Sequence, residues 1–597
     1  MQVRLGQYTY AEWIDAFEPK PSHRADLASA HSQWRCQPTV SIVFPVFNVE
    51  ERFLRAALNS VLAQIYPHWQ LCIADDGSTE PHIRKVLQDY SKRDSRIRVV
   101  YREHNGHIVE ASNSALELAT NDWVAFLDHD DRLHPHAFHF VAEAIATHPD
   151  VSLIYSDEDK IDAQDRRQDP YFKCDYNYEL LLAYNMVCHL TVLRRSLVND
   201  LGGLRRGFEG AQDYDLVLRA TEHLSSDQIL HLPRVLYHWR AHPGSTALSS
   251  QAKPYAAFAG RRAVEEHLQR RGIRATVAPA PDLPEMNRVR YALPDPAPTV
   301  SIVICTRDRA DLLAACIDSI AERSTYRNYE VLVVDNGSTE AATFRLFERV
   351  QSGRVRVMRD ASPFNFSALN NRAVRVASGD FVCLLNNDTE IITADWIEEL
   401  LSFAAQQDVG AVGCRLWYPS GGLQHGGVFL GPLHVVHHAH RHLRRGHPGY
   451  FGRAIIHQSF SAVTGAALMI RKSLYDEVGG LDENLPVTFN DIDFCLRVRK
   501  AGYRNVWTPY AEIIHHECAT RGADSSPGAR ARVEAETRVM KQRWPAVLQN
   551  DPAYSPNLSV ESEDFRIAWP ARVDGYQHVT PTHLISRREE ASVSYSE

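Results

Sequence analysis

Thr39-Val40-Ser41-Ile42-Val43 returns 260 residues later as Thr299-Val300-Ser301-Ile302-Val303, in a chain of 597 residues. The run Asp75-Asp76-Gly77-Ser78-Thr79-Glu80 returns at the same offset as Asp335-Asn336-Gly337-Ser338-Thr339-Glu340. Asp128-His129-Asp130 meets Asn386-Asn387-Asp388 at an offset of 258. Gln212-Asp213-Tyr214-Asp215, with Leu218-Arg219, meets Asn490-Asp491-Ile492-Asp493, with Leu496-Arg497, at 278. Four landmarks in one order, at nearly constant spacing, mean one fold used twice. Because the landmarks are themselves the polar, chemistry-bearing residues, two active sites are expected.

Working outward, each copy opens on an apolar, β-branched run too short for a helix, residues 40–44 and 300–304. A helix is predicted next. Leu54, Ala57, Leu58, Val61 and Leu62 fall at i, i+3, i+4, i+7 and i+8, and Leu313, Cys316, Ile317, Ile320 and Ala321 repeat the spacing. Strands over 70–74 and 330–334 then run into Asp75 and Asp335. Near-continuous apolar strands alternating with helices predict an α/β fold with mostly parallel central sheets flanked by helices. Ligands of such sheets bind beyond the carboxyl ends of the strands. Residues 123–127 lead into Asp128 and 381–385 into Asn386, so three strand ends per domain converge on one polar crevice.

Composition is that of an ordinary soluble globular protein, 44 % hydrophobic and 23 % charged. A net charge of −9 argues against a nucleic-acid partner, whose phosphates demand clustered Lys and Arg. No run reaches the 18 or so apolar residues of a membrane span, and the amino terminus lacks a basic-then-apolar leader. A cytoplasmic protein, at most peripheral at the inner face of the membrane, is expected. The ten cysteines show no CxxC spacing. Cys72, Cys305, Cys383 and Cys414 sit within apolar runs and read as buried, inert thiols rather than structural zinc ligands.

The chain divides into an extension (1–38) with a short helix around 11–17, a first domain (39–247), a connecting segment (248–298), a second domain (299–522) and a tail (523–597). The connecting segment reads as a helix over 253–271 and then an extended linker marked by Pro279, Pro281, Pro284, Pro294, Pro296 and Pro298. The tail reads as a helix over 529–543 and a Ser- and Glu-rich end expected to be disordered. With a periodic core of its own, each domain is expected to fold separately, split near 279–298.

Asp128-His129-Asp130 could be an acidic surface turn, or it could hold a hard divalent cation against a diphosphate. Its delivery by an apolar strand and its recurrence favour the cation, with Asp130 and Asp388 as the shared ligand position. Asn386 brings no charge but can still hydrogen-bond a ribose or phosphate. Asp75 and Asp335 precede Gly-Ser, which suits a turn and equally a carboxylate that accepts hydrogen bonds from a base or ribose. Asp213 and Asp491 open helices, where an acid is favoured by the helix dipole and where a general base would be rigidly aimed. A His-rich stretch, His434 to His447, coincides with extra length before Asp491; imidazoles at this density could bind a metal, and a mobile loop over the second site is the favoured reading.

These motifs resemble family 2 inverting glycosyltransferases of the GT-A fold, over roughly 39–247 and 299–522. In the first half they are Ser41-Ile42-Val43-Phe44-Pro45, Asp75-Asp76-Gly77-Ser78, Asp128-His129-Asp130-Asp131 and Gln212-Asp213. In the second they are Ser301-Ile302-Val303-Ile304, Asp335-Asn336-Gly337-Ser338, Asn386-Asn387-Asp388 and Asn490-Asp491. The whole chain is similar to two-domain bacterial transferases that build surface polysaccharide, including O-antigen. Tyr155-Ser156-Asp157-Glu158-Asp159-Lys160, Tyr237-His238-Trp239-Arg240 with Pro243-Gly244-Ser245-Thr246, and His515-His516-Glu517 with Thr520-Arg521-Gly522 belong to that likeness.

The resemblance implies two tandem Rossmann-like domains binding nucleotide-sugar donors through Pro45, Asp75, Asp76, Asp128, Thr306, Asp335 and Asn386. It implies Mn²⁺ or Mg²⁺ at Asp130 and Asp388, completed by His242 and His515 with His238 and His516 as neighbours, and catalytic bases at Asp213 and Asp491. It also implies a lipid-linked saccharide acceptor. Two departures stand out: Gln212 and Asn490 where Glu commonly precedes the base, and the lost first acid of the second triplet. The alternatives are a single catalytic domain beside an acceptor-orienting copy, and a glycan-binding scaffold.

Overall fold

The computed structural model describes residues 8–20, 27, 31, 34, 37–242, 254–517 and 526–573. The first sheet uses β1 (Val40–Val46), β2 (Trp69–Asp75), β3 (Ile97–Tyr101), β4 (Trp123–Phe126) and β5 (Arg132–Leu133). It is completed by β6 (Leu153–Ile161), β7 (Arg167–Tyr171), β8 (Thr191–Arg194) and β9 (Ile229–Arg240). Their spatial order is β3-β2-β1-β4-β8-β6-β9-β5, with β7 beside β6. Strands β1 to β4 pair in parallel, whereas β8 and β5 run against their neighbours. Every residue of β1 and β2 is buried, as a strand covered by helices on both faces requires. The helix Glu51–Leu62 buries Phe53, Leu54, Ala57, Leu58 and Val61 on one side. Leu62 and Ala321, at the far ends of the expected apolar faces, lie partly or wholly outside the core.

After a two-stranded hairpin, β10 (Ala275–Ala280) and β11 (Leu283–Tyr291), the second sheet follows. It comprises β12 (Val300–Thr306), β13 (Tyr329–Asp335), β14 (Val355–Arg359), β15 (Phe381–Leu385), β16 (Thr389–Ile391) and β17 (Val409–Trp417). With β18 (Leu423–His425), a small separate hairpin of β19 (Val428–Leu430) and β20 (Val436–His438), β21 (Gln458–Phe460), β22 (Ala467–Arg471) and β23 (Arg504–His515), the set is complete. The order β14-β13-β12-β15-β22-β17-β23-β16 repeats the first sheet strand for strand.

Four expectations change. The proline-rich connection is not an extended linker: it is the β10–β11 hairpin, whose Arg288 Nη2 lies 2.9 Å from the buried Glu399 carboxylate of the second domain. The chain after the helix Pro527–Arg543 is ordered through residue 573 and lies in the seam between the domains, where Asn557 Nδ2 donates to Asp157 Oδ2 at 3.0 Å. One apolar core runs through both domains and the hairpin, from Leu153 and Tyr178 through Tyr291 to Val300 and Ile513, so they do not pack as separate bodies. The His-rich stretch is no loose loop either. It forms β20 and the turn after it, where His440 stacks on Phe565 and Phe429 stacks on Tyr554. The Ser- and Glu-rich end, and the Pro243 to Thr246 and Thr520 to Gly522 motifs, lie outside the described residues. Among the described residues no helix is long and apolar enough to cross a membrane. Cys72, Cys383 and Cys414 are buried and Cys305 partly so, and burial pushes the thiols of Cys72, Cys305 and Cys383 up to about 12.

Candidate active sites

In the first domain β1, β2 and β4 end at one edge, and their ends carry Pro45, Asp75 and Asp128. Asp128, His189, Gln212 and Asp213 line one narrow pocket there, with Pro45 and Tyr237. Asp130 Oδ2 lies 2.9 Å from His242 Nε2. Burial alone would raise the Asp130 carboxyl, and the His242 imidazole overrides it and holds the group low. Asp128 is raised by burial, and the neighbouring Asp130 charge adds to that. Burial and both charges push Asp131 well up, and it accepts hydrogen bonds from Tyr237 Oη at 2.5 Å and Arg240 N at 2.7 Å. His238 turns away from the crevice, with Nδ1 2.6 Å from Asp159 Oδ1.

The second site keeps one carboxylate of those three. Asn386, Asp388 and Thr389 stand where Asp128, Asp130 and Asp131 stand in the first. Asp388 Oδ1 is buried and accepts no hydrogen bond, and His515 Nε2 lies 3.2 Å away. Gln424 Oε1 accepts from the other imidazole nitrogen, Nδ1, at 2.8 Å, which leaves the Nε2 lone pair toward Asp388 and Asn386. The donor sets at Asp130 with His242 and Asp388 with His515, oxygen and imidazole nitrogen, fit Mn²⁺ or Mg²⁺. Asn386 Nδ2 also meets His515 Nε2, at 3.1 Å, and His516 pairs instead with Glu390. The two histidines are not equivalent. The ladders Leu133↔Tyr237 and Ile391↔Ile513 match Trp239 to His515, so His242 lies three residues further along.

Behind each triplet the first strand supplies a prop: Pro45 O lies 3.3 Å from His129 Nδ1, and Thr306 Oγ1 accepts from Asn387 Nδ2 at 3.0 Å. Asp75 and Asp335 both serve their turns, each accepting the N–H of Ser78 or Ser338. Gly77 sits at φ +70°, a backbone conformation that side chains rarely adopt, and a Cβ there would come within 3.1 Å of the backbone of His104 and Asn105. Asp335 also pairs with Arg359 at 2.8 Å, so both its oxygens are engaged and the half-exposed Arg359 presents charge at that edge. Asp76 corrects an expectation. It is 2 % exposed, and its two oxygens are spent on Arg102 and the Gly106 N–H, which makes it an anchor for that loop rather than a nucleotide contact.

Asp213 and Asp491 lie in the first turns of the helices Gln212–Thr221 and Asn490–Lys500, and neither caps its helix. Two positions on, Asp215 and Asp493 are fully buried and pair with Arg219 and Arg497. Those arginines hold the carbonyls of Leu201 and Gly203, and of Val478 and Gly480. This brace explains the repeated Leu-Arg and fixes the helix ends that aim the first aspartates. Asn185 Nδ2 donates to Asp213 Oδ2 at 2.9 Å, and Gly465 N to Asp491 Oδ2 at 2.7 Å. Burial raises the Asp491 carboxyl, although backbone N–H groups oppose it.

Several site residues had gone unread. Asn48 and Asp308, 260 apart, accept the N–H groups of Thr79 and Glu80, and of Thr339 and Glu340. Their common offset was the signal. Gln424, which orients His515, belongs to no repeated motif, and Glu158 sits in a quoted motif with nothing to mark it as the partner of His189.

A family model, "Glycosyl transferase family 2", matches residues 41–202 and 301–479, together more than half of the chain. An uncharacterized protein, y4gI, of Sinorhizobium fredii is 48 % identical over 89 % of this chain and 59 % of its own length. The O-antigen biosynthesis protein RfbC of Myxococcus xanthus is 38 % identical over 93 % of this chain and 43 % of its own. The chain thus spans about half the length of these curated relatives. Among solved structures, the mannosyltransferase PcManGT of Pyrobaculum calidifontis, in complex with GDP-Man and Mn²⁺, is 17 % identical over 51 % of this chain and 82 % of its own, with a TM-score of 0.33. Two family matches laid over two copies of one GT-A-like sheet leave one conclusion: this chain belongs to glycosyltransferase family 2.

Proposed function

We propose that both crevices transfer sugars from nucleotide-sugar donors to a growing, lipid-linked saccharide of a bacterial surface polysaccharide such as O-antigen, each making its own bond. The observation that carries this is shared by both domains: a carboxylate–imidazole pair just beyond a strand end, and a carboxylate in the first turn of a braced helix. Asp130 with His242, and Asp388 with His515, would hold Mn²⁺ or Mg²⁺, which when bound neutralises the leaving diphosphate. Asp213 and Asp491 each take the proton from the attacking hydroxyl, so that a single displacement inverts the anomeric carbon. Asp75 and the Arg359–Asp335 pair border the place for the nucleoside. The acceptor would be met at the inner face of the cell membrane, with the protein peripheral to it. The name of RfbC supports the polysaccharide; the acceptor's lipid rests on the family resemblance.

Asp213→Asn and Asp491→Asn test this reading, since each removes a base while nearly keeping its size. Loss of a general base costs about 10²–10⁴ in rate. Mass spectrometry of the products should show one variant accumulating unmodified acceptor and the other an intermediate longer by one or more residues. Both stalling at the same acceptor, or Asp491→Asn matching wild type, would leave a single active domain.

A further inference from the structure

Cys188, His189 and Asp213 place a thiol sulfur, an imidazole nitrogen and a carboxylate oxygen within 4.8 Å of one another at the first crevice. All three residues are half-buried. The imidazole is aimed. His189 Nδ1 lies 3.0 Å from Glu158 Oε2, which also accepts the His189 backbone N–H at 2.8 Å, and Nε2 faces Cys188 Sγ at 2.6 Å. The loop itself is fixed by the buried Lys173, whose Nζ donates to the carbonyls of Cys188 at 2.9 Å and His189 at 2.8 Å. Sugar transfer needs no thiol here. In the second domain the ladders Trp123↔Arg194 and Phe381↔Arg471 set Gly465-Ala466 at the position of Cys188-His189, and Gly465 simply donates its N–H to the base.

A carboxylate behind an imidazole is how proteins orient a metal-binding histidine. Sulfur, nitrogen and oxygen together suit zinc or cobalt(II), where Mg²⁺ and Mn²⁺ prefer oxygen. We propose that Cys188, His189 and Asp213 form a binding site for a zinc-class ion which, when filled, ties up the first domain's carboxylate and stops the first transfer alone. The inhibition rests on the proposed role of Asp213 as base; the ion site does not. On binding, the Cys188 S–H bond breaks, its proton leaves to solvent and a sulfur–metal bond forms, while His189 Nε2 and an Asp213 oxygen supply lone pairs.

Cobalt(II) added to the metal-free, full-length protein gives the test. Wild type should show a thiolate-to-cobalt charge-transfer band, which cobalt at Asp130 and His242 cannot produce because no sulfur is there. The band should vanish in Cys188→Ser, and Glu158→Gln should weaken binding about 10–100-fold. Absence of the band in wild type, or its survival in Cys188→Ser, overturns the site. Should Cys188→Ser fail to fold, His189→Ala, which installs what the second domain carries, must cut affinity by at least about tenfold. Zinc added over excess Mn²⁺ should then stop the first transfer and spare the second. A full band with an undiminished first transfer would overturn the inhibition and the base role of Asp213, leaving the ion site standing.

Discussion

Asp213 and Asp491 occupy one position of a repeated fold and differ in what surrounds them. Asp213 faces Asn185, a thiol and an imidazole, whereas the equally half-buried Asp491 meets the backbone N–H groups of Gly465 and Ile492. A base must be ionised to act, and burial raises the Asp491 carboxyl. On the acid side, kcat/KM of the second transfer should therefore fall at a pH above the ordinary Asp value of about 3.9. The sign for stability runs the other way. A carboxyl raised in the folded state costs nothing below its unfolded pKa and progressively destabilises the fold as pH rises through the folded value. Asp491→Asn should accordingly raise the unfolding temperature at pH 7 and leave it unchanged near pH 3. An acid limb in the usual Asp range would refute the assignment. At this scale the candidate carboxylates were legible in the sequence, because strand ends and helix starts place them. The sequence could not announce Glu158 behind His189 or Gln424 behind His515, whose partners are 31 and 91 residues away.

The helix Tyr10–Phe17 shows the same division one level up. Its period was readable, and Thr9 and Glu12 close a capping box at its start. What it does depends on residues far along the chain. Trp13 is 1 % exposed and packs on Phe172, with ring centroids 5.2 Å apart. Tyr10 Oη donates to Asp159 Oδ2 at 2.8 Å, and Glu18 pairs with Arg167, which also grips Asp159. Asp159 in turn holds His238 on β9, the strand that leads to His242. The helix thus props the strand that carries the candidate metal ligand. Trp13→Ala should cost about 3–5 kcal/mol, seen as a lower unfolding midpoint, and should weaken Mn²⁺-dependent donor binding in the first domain more than in the second. Equal weakening in both would mean that the helix acts only on stability. The β20 hairpin escapes sequence reading for a similar reason: its histidines stand out, but Phe565 and Tyr554, which cover it, lie more than 110 residues on.

Across the whole molecule, two sheets with one topology share a core instead of hanging on a linker. Periodicity revealed two copies but was silent on their seam, where buried charged and polar residues that look like surface in a sequence flank the shared apolar core. Glu179, 2 % exposed, pairs with Arg504 of the second domain at 2.9 Å. Asp157, fully buried, is satisfied by His231 of its own domain and by Asn557 of the carboxyl-terminal segment. Glu399 takes Arg288 of the hairpin together with His457 and Thr508, and although burial opposes it, these partners pull its carboxyl down to about 2. Removing one partner of a buried pair costs about 3–5 kcal/mol, because a charge is left unmet. Cutting the chain at the hairpin would do this at several places at once: Arg504 would lose Glu179, and Asp157 would lose Asn557. A fragment of residues 1–281, or one of 282–597, is therefore expected to be insoluble or to melt without cooperativity, whereas the two produced together, which keep both strands of the hairpin, should assemble and recover both transfers. Calorimetry of each fragment and of the pair decides it. A sharp, cooperative transition from either fragment alone would show that the seam joins domains already stable, and the shared core would then be a docking surface rather than a condition of folding.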